Sequence, residues 1–548
     1  MHSLKPYRAL LLGGAVLMAD PVVFAKTPHS SHPEIELEWL ASFKPGAVAV
    51  GGAEISAYDA RSSRLFVTSA GDATLAVVDL SNPASPVILT NLPFGTTVTS
   101  VAVHKGKVAV AVPAEPKTDP GKVLLFDADF DPQDGPDYDE VTVGALPDMV
   151  AFTPDGKYLL VANEGEPNDA YTVDPEGSVS LIDIASCGRG GHRGHPGRRP
   201  RHGGEKVQAT RLGFEAFNLG APRHAELPAG VRVFGKNATV AQDLEPEYIA
   251  FSSDSRYAYV TLQENNAIAE IDIRRGFIKG IHDLGAKDFS RPENGFDASD
   301  KDKAIHIQPW PVRGLYLPDA LAAFQYRGGT YIVTANEGDS RDYDGFSEEV
   351  RVKNLVLDPA VFPDASTLQK DPALGRLKVT STLGDADGDG KYEAIYAFGG
   401  RSFSIWNEKL EQIYDSGDDI EQFIAAEYPD QFNSDNEANG TFDARSSSKG
   451  PEPEGVAVGE VKGRTYAFIG LERVGGVLVY DVTNPYAPAF KQYVNRRDFA
   501  GDVEAGTAGD VAPEGLLFVS KADSPRGEAL LIVSHEVSGT VAIYRIRD

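Results

Sequence analysis

Cysteine is nearly absent: Cys187 stands alone among 548 residues, so no disulfide can form within the chain. The fold must hold by its core, by closure of its sheets or by bound metal. Tryptophan and methionine are sparse as well, three of each. Positive charge is in deficit, with Lys+Arg at 52 against Asp+Glu at 80 and a formal charge of −28. This argues against a nucleic-acid partner or an anionic membrane surface, both of which require clustered cations. No apolar run reaches the roughly 20 residues needed to cross a bilayer as a helix. No helical periodicity of useful length occurs, and there is no nucleophile elbow, P-loop or zinc-type His/Cys set.

The N-terminus reads as an export signal over residues 1–25. His2, Lys5 and Arg8 give a basic start, Leu10–Ala19 an apolar stretch, and Val23-Phe-Ala25 a small-residue cleavage site. The alternatives are a disordered start or a membrane anchor, for which the stretch is short. Residues 26–34 follow as a linker, and 35–548 are expected to form one domain. A soluble, monomeric protein without a membrane span is expected, secreted or periplasmic.

What the chain has in abundance is a repeated phrase: a carboxylate, two residues, then Ala or a near equivalent. It occurs as Glu54-Ile-Ser-Ala57, Asp148-Met-Val-Ala151, Glu247-Tyr-Ile-Ala250, Asp319-Ala-Leu-Ala322, Glu454-Gly-Val-Ala457 and Glu514-Gly-Leu-Leu517. Thr99-Ser-Val-Ala102 is a copy without the acid. Behind most copies follow a turn, an apolar strand, another turn and a strand ending near Asp. Thr153-Pro-Asp-Gly156 is one such turn, between two runs of β-formers. Antiparallel meanders repeated in phase predict an all-β, seven-bladed β-propeller. The segment Ile35–Phe43 is placed to supply the outer strand that the last repeat lacks, which would close the ring. A further strand cluster, Lys391–Phe398 and Ser402–Trp406, lacks the opening phrase and is assigned to the outer part of the fifth blade, with eight blades as the alternative count. Insertions are expected at about 187–240, 340–390 and 411–450. The first contains a basic Gly/His/Arg tract, 187–206, whose His192, His195 and His202 read as a solvated loop or, alternatively, a metal-binding tract.

Strand direction turns the repeat into a site. The start of a first strand and the end of a second lie at the same end of an antiparallel sheet. Acids recur at the ends of second strands too: Glu164, Glu337, Glu472 and Glu536, with Gln263 in register in the remaining unit and Glu264 one step on. An inner ring of Glu54, Asp148, Glu247, Asp319, Glu454 and Glu514 and this second ring should converge on one mouth of the channel. Clustered carboxylates repel unless protonated, hydrogen-bonded or bridged by cations, and hard oxygen donors suit Ca²⁺ or another divalent ion. For any single copy, turn chemistry at strand entry is the plainer reading. Asp385-Ala-Asp387-Gly-Asp389-Gly-Lys-Tyr-Glu393 resembles the first half of a calcium loop, although its closing acid comes early. Asp127–Asp139 is denser in acids but less regular. Arg341, Arg401 and Arg473 are candidate anion-binding or catalytic groups, or else partners that neutralise neighbouring acids.

Several phrases together, Asn336–Tyr343, Tyr396–Trp406, Gln242–Tyr248, Leu262–Ala267 and Glu452–Val456, resemble the choice-of-anchor I domain family. The resemblance runs from about residue 36 to the end and implies a WD40/YVTN-type propeller on an exported or surface protein. Some members carry an alkaline-phosphatase label, and the Glu-Gly phrases are loosely similar to calcium-dependent propeller phosphatases and phytases. Three functions are therefore weighed: a calcium-loaded binding module for a small molecule or surface partner of unknown identity, alternatively a metal-dependent phosphoesterase, or else a purely structural scaffold.

Overall fold

The computed structural model describes residues 35–46, 51–184 and 207–548. The expected export signal, the linker and the tract at 187–206 lie outside the described residues.

Seven four-stranded sheets carry the architecture. Their innermost strands are Ser56–Asp59, Ser100–His104, Pro147–Phe152, Pro246–Phe251, Leu321–Tyr326, Pro453–Val461 and Pro513–Val519. Each neighbours the next, and the seventh neighbours the first, so the ring is closed. The seventh blade takes its outer strand from the other end of the chain. Glu36–Phe43 pairs antiparallel with Thr540–Arg547, from Glu36 opposite Arg547 to Phe43 opposite Val541. Glu38 adds ion pairs to Arg545 and Arg547. The chain is thus an all-β, seven-bladed propeller closed by its N-terminal strand.

The middle strands read as continuous apolar runs because both of their faces are buried. Leu65 and Val67 of the first blade pack with Ile532 and Val541 of the seventh. Ala109 and Val123 of the second blade pack with Leu159 and Val161 of the third. Each inter-blade seam is in this way a sandwich core, and the absence of disulfides is offset by burial and ring closure.

The strand cluster after residue 390 divides. Phe403–Trp406 is the third strand of the fifth blade and Gln412–Asp415 its fourth. Tyr396–Phe398 belongs instead to a five-stranded mixed sheet, ordered Ala286–Asp288, Arg313–Leu315, Tyr396–Phe398, Lys378–Thr380 and Glu349–Arg351. Its parallel pair, Arg313–Leu315 with Tyr396–Phe398, joins segments far apart in sequence, a pairing that no local pattern announces. The insertion bounds move with it: the fifth blade's second strand ends at Ala335 and its third begins at Phe403, so the middle insertion takes in all the residues between them. Ala209–Gly213 is the outer strand of the third blade, and the last insertion begins only after Asp415, with a helix at Asp419–Glu427.

Candidate functional site: an acidic channel mouth

The repeated phrase opens on a recurring backbone device. In four blades a non-glycine residue sits at positive φ, followed by Pro and then the acid. These residues are Leu146 (φ 44°), Leu317 (43°), Glu452 (49°) and Ala512 (61°). A residue before proline resists such conformations, so the geometry is held by its surroundings. The carbonyl of the strained residue accepts an N–H from the end of the second strand: Leu146 from Glu164 (2.9 Å), Glu452 from Glu472 (2.9 Å), Ala512 from Glu536 (2.9 Å) and Leu317 from Gly338 (3.1 Å). Inner-ring and second-ring acids are thereby clamped together. The strand register also slips where the acid enters, between Pro147 and Met149, Pro246 and Ile249, Pro453 and Val456, and Pro513 and Leu516. A bulge of this kind re-aims a side chain.

The Gly of the Glu-Gly copies follows from crowding near the axis. A Cβ on Gly455 would lie 1.9 Å from the Glu514 carbonyl oxygen, and one on Gly515 would lie 2.2 Å from that of Glu54. Adjacent inner strands meet backbone to backbone at the acids. The acid-free second copy fills its place differently, with the Thr99 hydroxyl donating to the Pro147 carbonyl at 2.6 Å.

The acids act on one another across the ring. Burial pushes Glu54 up to about 8, helped by Glu536 and Asp148. Burial, then Glu166, raises Asp148 to about 6. Glu514 is held well above the carboxylate range by burial and by Glu54, Glu536, Asp319 and Asp148. Glu454 is raised by burial and by Glu472, Glu337, Glu514 and Asp319, and Asp319 by burial, Glu337 and Asp148. On the third and fourth blades, Glu164 and Glu247 are raised by burial and nearby acids, Glu264 among them, and Glu264 itself rises to about 8. Burial likewise raises Glu536. The Tyr248 phenol stands among them, pushed up by burial and then by Asp319, Glu514 and Asp148. This mutual influence links acids of six of the seven blades, all but the second.

The ring is uneven. On the fifth and sixth blades, Glu337, Glu452 and Glu472 bring oxygens within 4.8 Å of one another, and cations sit among them. Lys449 Nζ lies 2.6 Å from Glu337, 3.3 Å from Glu452 and 3.3 Å from Asp339. Arg473 bonds Glu452 at 2.9 Å and lies 3.1 Å from Glu472, and Arg445 holds Glu452 at 2.6 Å. These partners draw Glu452 down to about 2 against the effect of burial. Other carboxylate oxygens are buried without a hydrogen-bond partner, at Glu247, Glu264 and Glu514 and, on the sixth blade itself, at Glu454. Glu452 and Lys449 escape sequence reading because they stand outside the repeated phase. Lys449 comes from the insertion after the fifth blade.

Of the three arginines, only Arg473 borders the ring. Arg341 is buried and committed to Asp243 and Glu245, with Phe234 beneath it. Arg401 is buried and committed to Glu421 and to the carbonyls of Asp297, Ser446 and Ser448. An incoming phosphate would have to displace those partners.

Asp385, Asp387, Asp389 and Glu393 also gather, with oxygens within 4.8 Å in a surface loop. Asp385 accepts N–H bonds from Gly388 (2.8 Å) and Gly390 (3.0 Å), and Glu393 accepts one from Ala386 (2.8 Å). The Asp127–Asp139 run does not gather in this way among the described residues; Asp127 pairs with Lys107 at 2.5 Å.

Fold and site together define a seven-bladed propeller that carries, among the described residues, two groups of acids close enough to hold a metal ion. The choice-of-anchor I domain matches residues 54–485, and the chain belongs to that family. Gigasin-3a of Magallana gigas is 32% identical over 192 residues, covering 33% of this chain and 67% of that protein. The mesenchyme-specific cell surface glycoprotein of Strongylocentrotus purpuratus is 29% identical over 280 residues, covering 44% of this chain and only 35% of its own length. Among solved structures, the Cps50 (Swd1) β-propeller domain of Myceliophteria thermophila aligns over 93% of this chain and all of its own, at 10% identity and a TM-score of 0.42. Among the described residues, no helix is long and apolar enough to cross a membrane.

Proposed function

We propose that the channel mouth binds a divalent cation, calcium by its chemistry, and that the protein is an exported or cell-surface binding module whose ligand docks on the cation-loaded mouth. The observation that carries this reading is the uneven ring. Lys449, Arg445 and Arg473 answer Glu337, Glu452 and Glu472, while among the described residues no ion pair reaches Glu54, Asp148 or Glu514. A divalent ion there would relieve the repulsion, and all-oxygen donors favour calcium over softer metals. The loop at Asp385–Glu393 is a second, exposed calcium position within the same reading. Surface placement draws on the similarity to the cell surface glycoprotein of Strongylocentrotus purpuratus and on the basic, apolar N-terminus. A ligand taking its place on bound calcium would be a small molecule or surface partner with anionic or oxygen-rich groups.

The test is calcium titration of chelator-stripped protein by calorimetry and metal analysis, beside Glu54→Gln/Glu514→Gln. The double variant should lose the channel ion. Unchanged stoichiometry and affinity would sink the channel reading. Hydrolysis of a generic phosphoester at alkaline pH, with and without calcium, runs in parallel, and metal-dependent turnover abolished by the same variants would replace the binding-module reading with a phosphoesterase.

A further inference from the structure

A separate set of oxygens lies inside the insertion that follows the fifth blade. Asp443 Oδ2, Asn433 Oδ1 and Ser434 Oγ are buried without a hydrogen-bond partner, on residues only 3%, 1% and 3% exposed. Leaving three such groups unanswered is costly. Backbone rungs join the two segments that carry them: Asp443 N–H donates to Phe432 and Arg445 N–H to Asn433, both at 2.8 Å. Asn433 and Asp443 both adopt the left-handed conformation, at φ 41° and 67°, which Asn and Asp tolerate better than most.

Hydrogen bonds fix which ends are free. The Ser446 hydroxyl donates to Asp443 Oδ1 at 2.5 Å. Asn433 Nδ2 donates to Ser446 Oγ at 2.9 Å and to Glu421 Oε1 at 3.1 Å. Turning the Asn433 amide over would set its oxygen against the Glu421 carboxylate, so its free end is the carbonyl. What remains is a carboxylate oxygen, an amide oxygen and a hydroxyl. Burial pushes the Asp443 carboxyl up, the Ser446 hydroxyl opposes this, and Asp297, Asp302 and Asp300 add to it. Arg401, the buried cation nearby, is already committed to Glu421 and to carbonyls of the same segments.

We propose that Asp443, Asn433 and Ser434 form a second, internal site for a hard divalent cation, calcium by donor type, distinct from the channel. Its place suggests its work. The segment that leaves it delivers Arg445 to Glu452 and Lys449 to Glu337, so the ion braces the residues that neutralise one side of the channel.

Calcium calorimetry on the stripped full chain tests this with Asp443→Asn, Ser434→Ala and Asn433→Asp, each checked for fold by circular dichroism. Asp443→Asn should lose one calcium equivalent or weaken it by at least about tenfold, in the range typical of damage to a metal site. Ser434→Ala should weaken the same event, and so should Asn433→Asp, which sets a carboxylate oxygen against Glu421 in place of the amide donor. Glu54→Gln/Glu514→Gln should leave it untouched, which separates this site from the channel. If Asp443→Asn does not fold, the other two decide. Ser434→Ala and Asn433→Asp proteins that bind calcium with the parent's stoichiometry and affinity would overturn the proposal, leaving only water to satisfy these oxygens.

Discussion

At the scale of single residues, the acids depend on what lies next to them. Gly455 and Gly515 exist because the next blade's backbone passes where a side chain would be. Gly455→Ala or Gly515→Ala should destabilise the protein by about 1–3 kcal/mol, as overpacked sites do, measured by urea denaturation at neutral pH. A cost near zero would mean that the seam between inner strands gives way easily. Lys449 makes the opposite case, since it is the buried cation that answers Glu337 and Glu452. Lys449→Met leaves the buried Glu337 carboxylate without its cation, while Glu452 keeps Arg445 and Arg473, and breaking a buried pair in this way typically costs about 3–5 kcal/mol. Because Glu337, Glu452 and Glu472 already stand within metal-ligand reach of one another, added calcium should recover much of that loss in the variant and far less in the parent. Equal calcium stabilisation of the two proteins in thermal melts would contradict the competition between amine and metal.

At the scale of elements, the sequence was legible wherever structure is local and repeated. Thr153-Pro-Asp-Gly156 turned as its chemistry required, with Gly156 N–H donating to the Thr153 carbonyl at 2.8 Å. The carboxylate phrase marked where the inner strands begin. Long-range pairing was not legible. Tyr396–Phe398 resembles any strand of its neighbourhood, yet its parallel partner Arg313–Leu315 lies across an insertion. Lys449, Glu452 and the oxygens around Asp443 carry no repeat, and only the folded insertions bring them together. The closing strand was legible because the last repeat was one strand short. Its weight can be measured at Leu37, which is 5% exposed and packs in the cluster that holds Val533 and Tyr544. Leu37→Ala should cost about 2–5 kcal/mol, the usual range for a buried Leu, read as a lowered urea midpoint with an unchanged slope. A much smaller loss would show that the ring holds without its closing strand.

At the scale of the whole molecule, the channel makes stability a function of pH and metal together. Glu54 and Glu264 titrate near 8 and Asp148 near 6 in the folded protein, against ordinary values of 4.5 and 3.8. Between the unfolded and folded values the native state holds more protons than the unfolded chain, so stability falls as pH rises through that window. The Glu452 network works in the other direction. Glu452 is drawn down to about 2 by Lys449, Arg445 and Arg473, so its contribution is present above about 4.5 and lost as pH falls toward 2. The metal-free protein should therefore be most stable near the lower end of the range between about 4.5 and 8, and should weaken steadily above it. Calcium reverses the upper limb, because binding to ionised carboxylates releases their protons and stabilises the folded state by mass action. Thermal melts at pH 5.5, 7 and 8.5, with chelator or with millimolar calcium, should diverge as pH rises, with the calcium gain smallest at pH 5.5 and largest at pH 8.5. Calorimetry near pH 7 in buffers of different ionisation enthalpy should register protons leaving as calcium binds. A calcium gain independent of pH, with no proton release, would place the bound ion away from the protonated ring and leave the channel acids to be neutralised by protons alone.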